Sequence, residues 1–310
     1  MNIVTRLDNG ELLIKLDNFT IRGKSTGGRE TSIIIEELSI AFDMGFQPDK
    51  LEAIRNVFIT HGHTDHIGCL HFCHVDRRLQ NNTNPWQVIM PEACIQPFKY
   101  LTTVISTLGR GGYPVNFVDV NTDQNESITI LKAFDKLYID ILSESENCKN
   151  VPLIGKTNYF VTAHEMKHKI KSFGYVITEK RNKLKKEFIG LSGNEIKKLR
   201  NSGIEIQEEI EISVIAFTGD TIIDSVLENN QFLNSNILIM ECTHFNDSGI
   251  ENATAHGHIH FQQFVDNIDK FKNKWIILCH FSQKYRSIKD IDVYINVLSP
   301  EQRQRIIIWI

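Results

Sequence analysis

The sequence of 310 residues predicts an α/β protein that folds as one domain over residues 1–310. Apolar segments with strand character alternate along the chain with segments of helical spacing. Several apolar segments end in histidine or aspartate, which is typical of layered α/β proteins that gather ligand sites at strand ends. A hydrophobic content of 41% and a charged content of 23% fit a globular chain with a large core. No internal repeat or low-complexity linker divides the chain.

The first half of the chain begins with a predicted hairpin over residues 31–45, in TSIIIEEL and SIAFDMG. Hydrophobic spacing then predicts elements in this order: a strand in RNVFIT (55–60), one helix over 66–80, a strand in WQVIMP (86–91) and a helix over 92–108. The helix over 66–80 is expected to direct its positive N-terminal end at the loop that precedes it.

The second half predicts strands within residues 126–142 and 157–179, and a short helix in NEIKKLRNSG. That helix is expected to end at Gly203, because glycine commonly follows the last helical turn. Four further apolar strands are predicted in EISVIAFTGD (211–220), SNILIMECT (235–243), KWIILCHFS (274–282) and RIIIWI (305–310).

Bulk properties restrict the location and the partners. A net charge of −4 implies that any surface for nucleic acid must be local. No stretch approaches the roughly 20 apolar residues of a membrane span. The first residues lack a basic-then-apolar signal pattern, so a cytoplasmic protein is expected, with a nuclear or organellar pool left open. The six cysteines form no CxxC pair and are expected to be reduced thiols.

The segment THGHTDHIG (residues 60–68) places three histidines and one aspartate within six positions. It follows an apolar strand, and side chains two apart in an extended segment point the same way. His61 and His63 are therefore expected to face one ion, while Asp65 and His66 turn toward a second. A polar loop with surface histidines is the alternative, but this spacing is one that carries a mechanism.

Three other strand ends supply the remaining ligands for such a site. Asp220 lies just beyond EISVIAF, and His280 lies just beyond KWIIL. The segment TAHEMKHKIKSFGY offers His164 and His168 as alternatives for a third position. A lone residue of this kind is more often structural, but the joint occurrence predicts seven ligands, enough for two ions with one carboxylate between them.

These motifs resemble those of the metallo-β-lactamase-fold hydrolases and, within them, tRNase Z, the endonuclease of tRNA 3′ ends. The HxHxDH pattern alone indicates only a metallohydrolase of this fold. The nuclease is indicated by SFGY, MECTHF, GHIHFQQ and HFSQKY together, and residues 183–199 are similar to the short, plant-type enzymes. The resemblance implies a four-layer αββα sandwich and a short basic tRNA-binding insertion near residues 180–203.

The resemblance also implies roles for individual residues. Two zinc ions per chain are expected, the first held by His61, His63 and His168, the second by Asp65, His66 and His280, with Asp220 as the bridge. His168 is preferred to His164 because the family's third ligand lies a few residues before a segment like KSFGYVI. Asp65, Glu241 and His258 are the expected catalytic residues: Asp65 takes the proton of the attacking water, while Glu241 and His258 relay a proton to the leaving oxygen.

Precursor tRNA is the expected partner, bound through lysines. Residues 180–200 carry eight Lys or Arg and two Glu, where a solvated charged stretch is the alternative reading. Within it Lys183, Lys185 and Lys186 are expected to contact tRNA. Lys284 is expected to contact phosphate, as a point charge where the family often has arginine. The loop GKSTGGRETS differs from the PxKxRN-like loop of many relatives, which leaves open whether tRNA ending in CCA is rejected.

The implied activity is zinc-dependent removal of the 3′ trailer from precursor tRNA by two-metal hydrolysis, leaving a 3′-OH on the tRNA. A homodimer is expected. Two alternatives stay open at the level of sequence. One is another hydrolase of this fold, acting on a small phosphodiester or, like glyoxalase II, on a thioester. The other is a metal-stabilised RNA-binding scaffold without activity.

Overall fold

The computed structural model describes residues 4–80, 86–108, 116–119, 136–142, 150–245 and 249–310. Its strands, in chain order, are β1 Thr5–Arg6, β2 Leu12–Leu16, β3 Phe19–Gly27, β4 Glu30–Ile35, β5 Ile40–Phe42, β6 Asn56–Phe58, β7 Gln87–Pro91, β8 Asn116–Asp119, β9 Lys136–Leu142, β10 Val151–Leu153, β11 Lys156–Met166, β12 Ser172–Leu184, β13 Gln207–Phe217, β14 Ile237–Glu241, β15 Trp275–Cys279, β16 Phe281–Ser282 and β17 Ile306–Ile308.

The α-helices are α1 Thr64–Ile67, α2 Leu70–Leu79, α3 Glu92–Leu108, α4 Gly193–Asn201, α5 Ile223–Leu227, α6 Asn230–Asn234, α7 Ile250–Ala255, α8 Phe261–Asp266, α9 Ile288–Ile295 and α10 Pro300–Arg305. Short 3₁₀ turns cover Glu36–Leu38, Leu51–Ala53, Lys186–Phe188 and Ile268–Lys270. Among the described helices, none has both the length and the apolar character required to cross a bilayer.

The described strands form two mixed sheets. The first has the order β1-β2-β3-β4-β5-β6-β7-β9-β8, with β16 added in parallel beside β3. The second has the order β10-β11-β12-β13-β14-β15-β17. In each sheet an antiparallel portion continues into parallel strands, β5-β6-β7 in the first and β13-β14-β15-β17 in the second. Six of the seven candidate ligands follow the carboxyl ends of the parallel strands β6, β13 and β15, and His168 follows β11 of the antiparallel portion.

Alternation along the strands creates four layers. Ile33 and Ile35 of β4 belong to the core between the two sheets, whereas Ile34 faces an outer core with helices α2 and α3. In β13, Phe217 faces the inner core, and Ala216 faces an outer core packed with helices α5, α6, α8 and α9. Because side chains alternate across a strand, each sheet buries both of its faces. The predicted αββα sandwich is therefore confirmed.

The continuous helix predicted over residues 66–80 is wrong. The chain forms a single turn, α1, breaks at Gly68 and Cys69, and resumes as α2. The backbone of Met44 explains the break, because its N–H bonds to the carbonyl of His66 and its carbonyl accepts from the N–H of Cys69. The N-terminal end near the ligand loop thus belongs to a one-turn helix that begins at Thr64, and not to a long helix.

The other predicted elements are compared here with the structure within the described residues. The strands predicted in both halves correspond to β4 to β7, β11 to β15 and β17, and the helix over 92–108 is α3. EEL of the predicted hairpin forms a 3₁₀ turn instead of strand. Within the stretch 126–142, residues 126–135 lie outside the described residues. Helix α4 has a capping box of Ser192 and Glu195, and Gly203 beyond its end has a φ of +76°.

The predicted basic insertion continues the β12–β13 hairpin and carries α4 at its end. The second strand of this hairpin is acidic, which offsets the basic stretch: Lys180 pairs with Glu209 and Glu211 at 3.4 and 3.2 Å, and Lys185 pairs with Glu205 at 3.7 Å. Lys183 and Lys186 are exposed and form no ion pair with the described residues. Only part of the basic stretch is therefore available to an outside partner.

Candidate metal centre

Segments that follow strands of both sheets bring seven titratable side chains together. His61 and His63 lie in the loop after β6, and α1 carries Asp65 and His66. From the second sheet, three residues follow strand ends: His168 after β11, Asp220 after β13 and His280 after β15. His280 has a φ of +59°, a left-handed conformation that turns the chain directly at the strand end.

The first group of donor atoms comes from His61, His63, His168 and Asp220. Nδ1 of His63 lies 3.0 Å from Nε2 of His61 and 3.5 Å from Nε2 of His168. Zinc–nitrogen bonds of about 2.0–2.1 Å in a tetrahedron place neighbouring nitrogens about 3.4 Å apart. The spacing of these imidazoles therefore matches the donor spacing of a zinc site.

The second group consists of Asp65, His66 and His280. Their donor atoms lie 3.2–3.5 Å from one another, measured between Nε2 of the two histidines and Oδ2 of Asp65. Asp220 stands between the groups: Oδ1 lies 3.4 Å from Nε2 of both His66 and His280, and Oδ2 lies 3.7 Å from Nε2 of His61. Its Oδ1 is buried and has no hydrogen-bond partner among the described residues, as expected of an atom that serves a cation.

In four of the five histidines, Nδ1 is hydrogen-bonded on the side of the ring that points away from the cluster, which leaves Nε2 facing the cluster. Nδ1 of His66 donates to Asp43 at 2.7 Å, and Nδ1 of His168 donates to the carbonyl of Gly257 at 2.9 Å. Nδ1 of His61 lies 2.9 Å from the Thr60 hydroxyl, and Nδ1 of His280 lies 3.0 Å from the Thr243 hydroxyl. Such contacts fix the tautomer and the ring orientation of metal ligands.

These supporting residues were not found from the sequence. The Thr60 hydroxyl donates to the buried Asp43 carboxylate and therefore accepts from His61, so one carboxylate orients two ligands. Asp43 directly follows the buried strand β5, the same pattern that identified Asp220 and His280. Gly257 is also required, because a Cβ there would lie 2.6 Å from Nδ1 of His168. A polar residue at a buried strand end was the available signal for Asp43, whereas Gly257 had none.

The protonation of the cluster suits a cation. Burial lowers the pKa of His61, His63 and His168, so their imidazoles are neutral and have lone pairs to offer. Burial opposes the charge of Asp220, but the His280 and His66 imidazoles hold the pKa of that carboxyl well below its usual value. The neutral imidazoles of His61, His63 and His168 beside the ionised Asp220 form a donor set that is suited to zinc, whereas the Asp220 and Asp43 carboxylates outweigh burial and raise the pKa of His66.

Glu241 and His258 form a pair beside the ligands. Nδ1 of His258 donates to Oε1 of Glu241 at 2.9 Å. Burial would lower the pKa of His258, but the Glu241 carboxylate outweighs it and raises that pKa to about 9. Glu241 is itself buried and accepts from the backbone N–H of Thr221 and from the Thr243 hydroxyl, at 2.9 and 2.7 Å. The imidazole is thus protonated and oriented, and its Nε2 takes no part in the hydrogen bond to Glu241.

The remaining candidates are placed outside the cluster. The ring of His164 packs against Phe232 with 5.6 Å between centroids, and His168 occupies the cluster instead. Lys284 is exposed and lies two residues after β16 ends. Lys183 lies in β12, and Lys185 and Lys186 lie just beyond the end of that strand. The five described cysteines are free thiols, and Cys148 lies outside the described residues.

Comparisons with known proteins give close relatives. The chain is 36% identical over 296 residues to tRNase Z TRZ1 of Arabidopsis thaliana, which covers 94% of this chain and 95% of that protein. It is 32% identical over 275 residues to the chloroplastic tRNase Z TRZ2 of the same plant, at 88% and 70% coverage. No family model matches the sequence.

Among solved structures, human tRNase Z, short form (ELAC1), aligns with a TM-score of 0.51 at 20% identity, over 84% of this chain and 92% of that one. The metallo-β-lactamase fold protein YhfI of Bacillus subtilis aligns with a TM-score of 0.53 at 11% identity, over 92% and 93%. These two likenesses show the fold. The sequence identity to the plant enzymes, extended over almost the whole chain, shows the family: the chain belongs to the tRNase Z family.

Proposed function

We propose that this protein is a zinc-dependent endoribonuclease that removes the 3′ trailer from precursor tRNA and leaves a 3′-OH on the tRNA. The observation that carries the proposal is the joint placement of a two-ion donor set and the Glu241–His258 pair at one site. The membership of the tRNase Z family supplies the substrate class. A thioester hydrolase would have no use for a protonated imidazole directed at a strongly basic leaving oxygen.

Two zinc ions per chain are part of the proposal. His61, His63 and His168 would hold one ion, Asp65, His66 and His280 the other, and Asp220 would contribute one oxygen to each. Bound zinc in such a pair supplies an activated water and neutralises charge on the attacked phosphate. The absence of cysteine from the donor set fits a catalytic site and not a closed structural one.

Different residues would accept the proton of the attacking water and donate a proton to the leaving oxygen. Asp65 is ionised, because hydrogen bonds from His280 and His66 outweigh its burial and lower its pKa, so it is able to accept a proton. His258 carries the proton that the leaving ribose oxygen requires, and Glu241 keeps the imidazole charged and in one orientation. The buried Thr243 hydroxyl contacts both Glu241 and His280, which fixes the acid relative to a ligand.

A 3′-extended precursor tRNA tests the proposed function directly. Incubation with the zinc-loaded protein is expected to give one cut near the acceptor end, with a 3′-OH on the tRNA and a 5′-phosphate on the trailer. End mapping of both products measures the result. Cleavage of a chromogenic thioester with no cut in the precursor would contradict the proposal.

The basic insertion is proposed to contact tRNA through Lys183 and Lys186 most of all. Both are exposed and free of ion pairs with described residues, whereas Lys185 pairs with Glu205. Lys284, which is exposed and lies four residues after His280, is proposed to contact phosphate. Lysine contacts with phosphate release counterions, so their contribution falls with added salt.

Replacement of Lys183 and Lys186 together by glutamine is expected to raise KM for precursor tRNA several-fold and to lower the salt slope of binding by about one for each lysine. Turnover of a small phosphodiester is expected to stay unchanged, since the metal centre is untouched. Lys180→Gln is the matched control, because Lys180 already pairs with Glu209 and Glu211. Equal losses on both substrates would show that the insertion is structural.

We also propose that the protein forms a homodimer and is cytoplasmic. Exposed apolar side chains on α2 and α3, including Phe72 and Tyr100, support a second copy that covers this face. Sedimentation equilibrium measures the oligomeric state, and a monomer at micromolar concentration would remove the first of these proposals.

A further inference from the structure

His244 lies three residues beyond the end of β14, and its backbone is tied to the segment that carries His258. The N–H of His244 donates to the carbonyl of Ile259 at 3.2 Å, and the carbonyl of His244 accepts from the N–H of Phe261 at 2.8 Å. A β-bridge also pairs His244 with His260. The backbone of His244 is therefore held at a fixed place relative to the proposed acid, His258.

The next residue anchors this short segment in the outer core. The ring of Phe245 is buried, and its centroid lies 5.0 Å from that of Phe261 and 5.6 Å from that of Phe281. Aromatic contacts of this kind hold a segment in one position. His244 itself is only partly buried, so part of this residue is open to a ligand.

The imidazole of His244 is a direct neighbour of the imidazole of His258. Their ring centroids lie 5.8 Å apart, with an angle of 65° between the ring planes. The ring of His258 also contacts those of two candidate metal ligands, His168 and His280, at 5.3 and 5.8 Å. His244 belongs to none of the groups of candidate metal donors among the described residues. It is therefore an imidazole beside the acid that the metal centre does not use.

We propose that the imidazole of His244 stacks against the base of the nucleotide on the 5′ side of the cut, which is the last nucleotide of the tRNA product. The proposal rests on the proposed function and deepens it. In that function His258 protonates the 3′ oxygen of this nucleotide, so its ribose lies beside His258. The base is bonded to the same ribose, which brings it within reach of a ring that neighbours His258.

Stacking is the interaction that this ring offers to a base. Bases that are not paired stack on histidine and on other aromatic side chains of RNA-binding proteins. Such a contact tolerates any base, because every base has a π-face. His244 would therefore hold the last nucleotide in place beside the acid without selecting its identity.

Two precursor tRNAs that differ only in the last nucleotide before the cut test this, one intact and one with an abasic ribose there. In His244→Ala, kcat/KM for the intact precursor is expected to fall about tenfold through the loss of one stacked base. For the abasic precursor, kcat/KM is expected to equal that of the wild type, because no base is present to stack. His244→Phe keeps an aromatic ring and is expected to retain most of the wild-type value on the intact precursor.

The matched control is His256→Ala, because the His256 side chain is exposed and its Nδ1 bonds to the carbonyl of Asn252. This variant is expected to cut both precursors as the wild type does. Equal losses on both precursors in His244→Ala would overturn the stacking contact, since they would make His244 a support of the fold or of the acid. A loss in His244→Phe as large as that in His244→Ala would overturn it as well, because the ring is kept.

A binding measurement separates this proposal from the proposed function. An acceptor-stem hairpin that ends at the last nucleotide with a 3′-OH represents the tRNA product, and its binding requires no turnover. By fluorescence anisotropy, removal of the last base is expected to weaken binding to the wild type about tenfold and to leave binding to His244→Ala unchanged. If the wild type cuts neither precursor, the proposed function fails. An equal effect of base removal on the wild type and on His244→Ala would overturn the stacking contact separately.

Discussion

Replacement of Asp220 by alanine is expected to remove both zinc ions and to abolish cleavage. Its two carboxylate oxygens face different groups of imidazoles, so one truncation takes a ligand from each ion. The variant also leaves His66 and His280 without the buried negative charge that compensates a cation. Metal content per chain after dialysis, together with the cleavage of a small phosphodiester, measures the result.

The nearby Asp224→Ala is a matched control, because Asp224 is an exposed aspartate four residues further along, on α5. It is expected to keep two ions and full activity. Asp220→Asn provides a second variant of nearly the same volume if the alanine variant folds poorly. Two ions retained in a folded Asp220 variant would contradict the bridging assignment.

Replacement of His258 by alanine is expected to slow precursor tRNA cleavage by about 10²–10⁴-fold, the usual contribution of general acid catalysis. A ribose 3′ oxygen leaves poorly without a proton, whereas p-nitrophenolate leaves readily. Cleavage of bis-p-nitrophenyl phosphate is therefore expected to change little in the same variant. The ratio of the two rates, with metal content unchanged, is the measurement.

Glu241→Ala is expected to show the same asymmetry at smaller size, since Glu241 orients the acid and does not donate itself. The double variant is expected to be little worse than His258→Ala, as for residues that act as a unit. His256→Ala is the control, because the His256 side chain is exposed and, among the described residues, bonds only to the carbonyl of Asn252 in the preceding helix. Equal slowing of both substrates in His258→Ala would make His258 a structural residue.

The candidate metal centre was largely predictable from the sequence because its proposed ligands follow local rules. The loop after β6 concentrates His61, His63, Asp65 and His66, and the other ligands directly follow buried strands. The choice of His168 over His164 depended on a family resemblance, since spacing alone left both open. The structure gives the reason for the difference: His164 lies within strand β11, where its ring meets Phe232, and His168 lies in the loop beyond.

Features that depend on distant segments were not accessible. The break between α1 and α2 comes from hydrogen bonds to Met44, which is remote in sequence. The neutralisation of part of the basic insertion by glutamates depends on the pairing of β12 with β13, which places Lys180 opposite Glu211. The short helices α5 to α8 have too few turns to show a clear hydrophobic period.

The rear contacts of the imidazoles come from opposite halves of the sandwich. Asp43 and Thr60 orient His66 and His61 from the first sheet, while Thr243 orients His280 from the second. Two metal ions bound among these side chains would link the two sheets, so metal affinity would depend on how completely the two halves have docked. The stacked Phe42–Phe217 rings, 5.0 Å apart, join the halves below the site. Cleavage would therefore require that both sheets have docked, because in a partly docked chain the proposed ligands from the two sheets lie apart.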